Sequence, residues 1–327
     1  MPGVFRSSNP LNLLLVFFIG MLLRYHSFVD PVTPGLSAIE GFLYRWIVQG
    51  LVRFAGEGSI LFPLISYLLV FLQAVLLNAF VNQHRMFGRT QYLVAFCYVL
   101  VTALRPEWWQ FSPALLVNTA LIPVWNNLVN LNKSQQAKSL LFSTGIIIGL
   151  SSFIYFPALA FFLLLLVSVL ILRPFRLPEW INGFMGLLMP YYFLFSISFL
   201  TDQWDRERFL PFPAWSMLHL QRDLWTFLSL LTLFFPLAMG LYHLQNAIGR
   251  LAIHSRKAWN LVFYYLILSI LVPLPAASQD LSYFFLAAPT LALLQANLFF
   301  YPKKRFLPNL LVLLLLAFIL FLNLRHN

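Results

Sequence analysis

Residues 59–89 read SILFPLISYLLVFLQAVLLNAFVNQHRMFGR. From Ser59 to Val81 nothing is charged; Glu57 stands just ahead of the run, and Arg85 and Arg89 stand just behind it. At about 1.5 Å of rise per residue, a helix of this length crosses the roughly 30 Å hydrocarbon core of a bilayer. Its flanking charges give it a direction, because short cytoplasmic loops carry the excess of Lys and Arg. This one stretch predicts a membrane helix running from an outer, acid-bearing end to an inner, basic end.

The same pattern recurs along the chain. Hydropathy predicts about eleven spans: Pro10–Leu23, Ser59–Val81, Gln91–Leu104, Pro113–Leu131, Ser139–Tyr155, Pro157–Leu172, Trp180–Leu200, Asp223–His243, Trp259–Pro275, Leu281–Phe300 and Leu307–Leu324. With the N-terminus placed inside, the inner loops hold thirteen basic residues against one acid, Glu179. The outer loops hold eight basic residues and nine acids, so +12 faces −1 and the two account for the chain's +11. That split predicts a cytoplasmic N-terminus, an outer C-terminus and an odd number of spans.

At 61% hydrophobic and 9% charged, residues 1–327 read as one all-α, polytopic membrane domain with no separate soluble part. The high pI then reflects loop bias, and nucleic acid is not an expected partner. The first apolar run follows Arg6 and lacks a small-residue cleavage site, so it reads as an uncleaved anchor. Cys97 is the one cysteine, which excludes an intramolecular disulfide and a thiolate cluster. The six histidines are scattered and form no HxxH or HxxxH pair. Neither a metal nor a cofactor is expected.

No predicted span carries Asp, Glu, Lys or Arg near its middle, which argues against an ion-coupled carrier. The amides at that depth, among them Gln73, Asn118 and Asn126, read as hydrogen-bonding partners of neighbouring helices. Chemistry is therefore expected on the outer face, where nine of the ten acids lie. The first outer loop, 24–58, opens with Arg24, Tyr25, His26 and then Asp30-Pro31. Beyond Pro34-Gly35, residues 39–54 form an amphipathic pattern expected to lie in the interface, with Ser37 as its N-cap. The second outer loop carries Glu107 beside Trp108-Trp109, an interfacial anchor. The large outer loop, 201–222, mixes Arg206, Arg208 and Arg222 with Asp202, Asp205 and Glu207. Those arginines either converge as a phosphate clamp or pair locally with the neighbouring acids.

Two stretches carry a resemblance. One is Leu104-Arg105-Pro106-Glu107 with Phe111-Ser112-Pro113-Ala114-Leu115; the other runs from Gly149-Leu150-Ser151-Ser152 through Leu172-Arg173-Pro174 to Pro178-Glu179-Trp180. With the basic N-terminus they resemble an uncharacterised family of polytopic inner-membrane proteins of Bacteroidota. That resemblance implies a bacterial inner-membrane location and a periplasmic outer face. In architecture the chain is also similar to the C-type-fold glycosyltransferases that use polyprenyl-phosphate sugars. This second resemblance implies Asp30 as the acceptor-activating base, Glu107 as an auxiliary acid and Arg206 or Arg208 as the phosphate contact. Arg222, Arg24 and His26 complete the expected substrate-binding set. The chain departs from that family in its acids, since Asp30 is followed by Pro31 and the next acid is Glu40.

The expected function is accordingly a glycosyltransferase, or a degenerate relative, using a polyprenyl-phosphate-linked sugar donor at the periplasmic face. One alternative is a non-catalytic subunit of a cell-envelope assembly or secretion complex, docking an envelope protein partner. Another is a lipid or small-molecule transporter. Membrane lipid is a partner in each.

Overall fold

The computed structural model describes residues 2–37, 39–131, 136–174, 176–202, 224–274, 281–302 and 306–325. Among these every regular element is a helix, and the one strand-like pairing is an isolated bridge between Glu40 and Tyr155. Two short helices, α1 (Pro2–Phe5) and α3 (Tyr25–Val29), flank α2 (Leu11–Leu23). Then come α4 (Phe42–Ala55), α5 (Leu61–Gln83), α6 (Leu93–Ala103), α7 (Pro113–Asn130), α8 (Ala137–Ser152), α9 (Phe162–Leu172) and α10 (Leu177–Leu200). The chain finishes with α11 (Leu224–Ile248), α12 (Ile253–Leu271), α13 (Ala288–Phe300) and α14 (Phe306–Arg325). Among the described residues each apolar run contains α-helix, and the runs at 157–172 and 281–300 open with a 3-10 stretch. Among the described residues five helical stretches are long and apolar enough to cross a membrane: Leu61–Gln83, Leu177–Leu200, Phe227–Ile248, Leu281–Phe300 and Phe306–Asn323.

Local chemistry explains several boundaries. Ser112 caps α7 by accepting the Leu115 N–H at 3.3 Å, and Pro113 fills the first helical position, where no N–H is needed. Gly88 turns the chain after α5 with φ +75°, a region that glycine enters without strain. The centre of the bundle is α6, every residue of which is buried, packed against α5 and α13. At the periphery α10 and α14 expose large apolar side chains, with Phe199 71% and Leu200 82% exposed on α10. Such a contiguous apolar surface suits lipid rather than water.

Small residues set how closely helices approach. A Cβ added to Gly186 of α10 would lie 2.2 Å from the Phe142 carbonyl oxygen of α8, and one on Gly145 would lie 2.5 Å from the Gly183 oxygen. The Gly145/Gly149 pair therefore makes the backbone contact that its spacing predicts. Gly240 likewise brings α11 onto α13, where its Cβ would meet the Leu294 oxygen at 2.1 Å.

The segments expected on one side of the membrane meet one another. The Gly41 N–H donates to Ile154 O at 2.9 Å, Tyr155 stacks on Tyr283 at 5.0 Å, and the Trp108 indole N–H donates to Leu281 O at 3.1 Å. At the other end, the Tyr92 N–H donates to Phe5 O at 2.9 Å, the Arg6 Nε donates to Phe299 O at 2.9 Å, and the Arg89 guanidinium lies 5.0 Å over Phe300. The amphipathic helix forms, but it begins at Phe42 with Gly41 as its N-cap, not Ser37. Glu40 and Gly41 are held extended against residues 154–155, and the Leu43 N–H of the first helical turn donates to Phe153 O at 3.1 Å, which moves the helix start past Ser37. Tyr44 and Val48 face the bundle, whereas Trp46 and Phe54 remain exposed.

Candidate functional site

Pro106–Trp108 is a single turn of 3-10 helix between α6 and α7, and it borders three cavities at the end of the bundle where the expected outer loops gather. The first, of about 290 Å³, is lined by Ser37, Glu40, Tyr44, Glu107, Ser282 and Tyr283 among others. The second, about 230 Å³, includes His26, Asp30, Pro106 and Trp109, and shares Gln110 and Phe111 with the first. The third, about 240 Å³, is almost wholly apolar, bounded by Trp108, Leu233, Phe234, Ile270 and Leu291, with Arg105 and Ser229 as its polar members.

Arg105 links these spaces. Its Nε and Nη2 donate to the Glu107 carboxylate at 3.0 and 2.8 Å, in the bidentate geometry that a planar guanidinium favours. Its Nη1 donates to Ser229 Oγ of α11 at 2.9 Å. The Arg105 side chain is 9% exposed and that of Glu107 is 39% exposed. One ion pair thus stands with its cation at the apolar cavity and its anion at the polar one. Glu107 was expected as an auxiliary acid; here its two oxygens are engaged by the guanidinium two residues earlier.

Glu40 lies deeper. It is 5% exposed and accepts the Ser37 N–H at 3.1 Å and the Tyr283 hydroxyl at 3.4 Å. Ser37 Oγ and the Tyr283 hydroxyl are 3.1 Å apart, which closes the cluster. The Tyr44 hydroxyl donates to Phe111 O at 2.9 Å. Burial pushes the Tyr44 phenol far above its ordinary pKa, the negative charge of Glu40 and the neighbouring Tyr283 add to this, and the hydroxyl stays protonated as a donor.

The remaining expected residues fall as follows. Asp30 is exposed at the C-terminus of α3; its N–H donates to His26 O at 3.0 Å, and its side chain borders the second cavity. His26 borders the same cavity, and its backbone N–H donates to Asn323 Oδ1 at 3.3 Å. Arg24 is buried between α2 and α6, with Nη2 donating to Thr102 O at 3.0 Å, and it borders none of the three cavities. Desolvation lowers its pKa to about 10, against an opposing contribution from Tyr98 and Tyr67. Arg206, Arg208 and Arg222 lie outside the described residues.

Arg105 sits in the Leu104–Glu107 motif with no local signal of its reach to Ser229, and along the chain Glu40 is legible only as the next acid after Asp30. A further cluster, with no signal in the sequence, lies at the other end of the bundle. There His84 Nδ1 lies 2.9 Å from His254 Nε2, and His84 Nε2 lies 2.9 Å from Asn126 Oδ1. Histidines 170 residues apart leave no spacing signal to find.

The model of a family of unknown function, DUF6427, matches residues 42–326. The chain belongs to this family. No curated protein and no solved structure matches it. The matched region of this DUF6427 member takes in Arg105, Glu107 and Tyr283, whereas Asp30 and Glu40 precede it. The family brings no activity with it, and none of the comparisons supports a glycosyltransferase relationship or a source in Bacteroidota.

Proposed function

We propose that this protein is an eleven-span protein of the bacterial inner membrane, with a cytoplasmic N-terminus, that handles a lipid-linked polar substrate at its periplasmic face. The observation that carries this reading is the Arg105–Glu107 pair, which separates an apolar cavity of about 240 Å³ from a polar one of about 290 Å³. A lipid chain suits the first, a sugar suits the second, and a guanidinium at their boundary suits the phosphate between them. The orientation is supported by the charge count and by the meeting of expected outer loops with outer loops and inner with inner.

The reaction class we propose is sugar transfer from a polyprenyl phosphate. An acceptor hydroxyl attacks the anomeric carbon, the carbon–oxygen bond to the phosphate breaks, and the lipid phosphate leaves with the bonding electrons. Asp30, exposed in the adjoining cavity, takes the hydroxyl proton, and Arg105 offsets the charge on the departing phosphate.

The test is a mass-spectrometric profile of lipid-linked sugars in a strain lacking the gene beside its parent. Accumulation of one polyprenyl-phosphate sugar, reversed by the intact gene and not by Asp30→Asn, supports transfer. An unchanged profile sinks the enzyme reading and favours a membrane subunit of an envelope assembly complex, to be sought by co-purification of a stable partner.

A further inference from the structure

At the end of the bundle opposite the three cavities, two basic turns are fastened together. Arg85 and Arg89 lie exposed in the turn after α5; Arg250 lies exposed before α12 and Arg256 in its first turn. His84 Nδ1 lies 2.9 Å from His254 Nε2, and Ser255 Oγ donates to the carbonyl oxygens of His84 and Arg85 at 3.1 and 3.2 Å. Asn126 of α7 holds the other nitrogen of His84 at 2.9 Å. Arg85 itself has φ +48°, a region that a residue with a side chain seldom enters. It is kept there by the Met86 N–H on Val81 O at 3.1 Å and the Gly88 N–H on Arg85 O at 3.0 Å. Arg89 is set over the Phe300 ring. Guanidinium groups gathered in this way repel one another. The ion pairs among the described residues, Arg105–Glu107 and Arg173–Glu179, include none of the four. Residues 82–92, 244–260 and 300–308 contain no Asp or Glu at all. The fold therefore assembles a fixed cationic surface, which favours an anion.

Helix α12 says which anion. From Arg256 its exposed face continues through Asn260, Tyr264, Ile267 and Leu271, at spacings of three and four residues, while Trp259, Val262, Tyr265 and Ser269 face the bundle. A charge, an amide and then an apolar stripe is the order of phosphate, glycerol ester and acyl chain in a phospholipid. Arg256 to Leu271 rises about 22 Å, about half of a bilayer with its headgroups, hence one leaflet. A soluble phosphate or a nucleic acid makes no use of that stripe. We infer that Arg85 and Arg256, flanked by Arg89 and Arg250, form the headgroup site of an anionic glycerophospholipid whose chain lies along α12. The site is independent of the sugar-transfer reading, which concerns the opposite end of the molecule.

The experiment titrates the full-length protein in neutral detergent with phosphatidylglycerol and, separately, with phosphatidylcholine of the same chains, and reads the first bound lipid by native mass spectrometry. In the parent, phosphatidylglycerol binds at least about tenfold more tightly. Arg85→Gln with Arg256→Gln brings the ratio to within about twofold; both side chains are exposed, and an unchanged unfolding midpoint in phosphatidylcholine confirms that the pair of changes leaves the fold intact. Lys138→Gln with Arg176→Gln removes the same charge from exposed positions outside the site and leaves the tenfold ratio in place. Equal binding of the two lipids by the parent overturns the assignment, as does a preference that survives loss of Arg85 and Arg256. An equal fall in the Lys138 and Arg176 variant overturns it in favour of diffuse charge. Displacement of the bound lipid by an equal concentration of glycerophosphoglycerol, the headgroup without chains, overturns it in favour of a soluble phosphate compound.

Discussion

Removing the charge of Glu107 should cost this protein more than removing the charge of Arg105, although each change breaks the same ion pair. The asymmetry follows from burial, because the guanidinium is 9% exposed and the carboxylate 39%. Glu107→Gln leaves a buried cation with only one strong acceptor site opposite it and Ser229 behind it. A broken buried pair costs about 3–5 kcal/mol, and a Gln that still accepts one bond brings the expected loss to about 2–3 kcal/mol. Arg105→Met keeps most of the packed stem and leaves a carboxylate that water can reach, so the expected loss is about 1–2 kcal/mol. In the double variant neither charge remains and the loss is again about 1–2 kcal/mol, which gives a coupling energy of roughly 2 kcal/mol. The assay is equilibrium unfolding in mixed micelles, followed by tryptophan fluorescence across the four members of the cycle. Single losses that add to within about 0.5 kcal/mol of the double, or a larger loss for Arg105→Met, would refute the claim that this pair is the organising contact of the site.

Asp30→Asn should leave stability within about 0.5 kcal/mol, as expected for an exposed side chain, while abolishing complementation in the lipid-linked sugar profile. Arg24→Met should be neutral or stabilising by about 1–4 kcal/mol, because Nε and Nη1 of this buried guanidinium have no hydrogen-bond partner among the described residues; a clear loss on unfolding would contradict that account. Gly186→Ala should destabilise by about 1–3 kcal/mol by forcing α10 away from α8, whereas Gly50→Ala, whose Cβ meets nothing within 4 Å, should gain up to about 1 kcal/mol. Thermal unfolding of the two glycine variants side by side checks the contrast. Orientation is tested with single cysteines in a Cys97→Ser background: a label at Glu57 should react with a membrane-impermeant reagent from outside, and one at Arg256 should not.

Much of this architecture is readable residue by residue. The uncharged run before Arg85 and Arg89 is a helix, Ser112-Pro113 starts one, and Gly145 and Gly149 mark a close crossing, because hydropathy, capping and small-residue spacing all act within a few residues of chain. The expected acids were legible as loop residues, and Asp30 and Glu107 do border neighbouring cavities that share Gln110 and Phe111. Their chemical states were not legible. Nothing along the chain shows that Glu107 is held by Arg105 while Arg105 reaches Ser229, 124 residues away, or that Glu40 meets Tyr283 across 243 residues.

What the amino-acid order determined alone is which segments are apolar helices and which ends carry basic charge, since both follow from transfer of side chains between water and hydrocarbon. Which helices are central and which face outward was decided only by the tertiary structure. In hydrocarbon an outward leucine is as favourable as an inward one, so α6, wholly buried, and α10, largely exposed, read alike along the chain. Close packing of small residues and buried hydrogen bonds between distant helices separates them, and the same packing brings the three cavities to the turn at Pro106–Trp108.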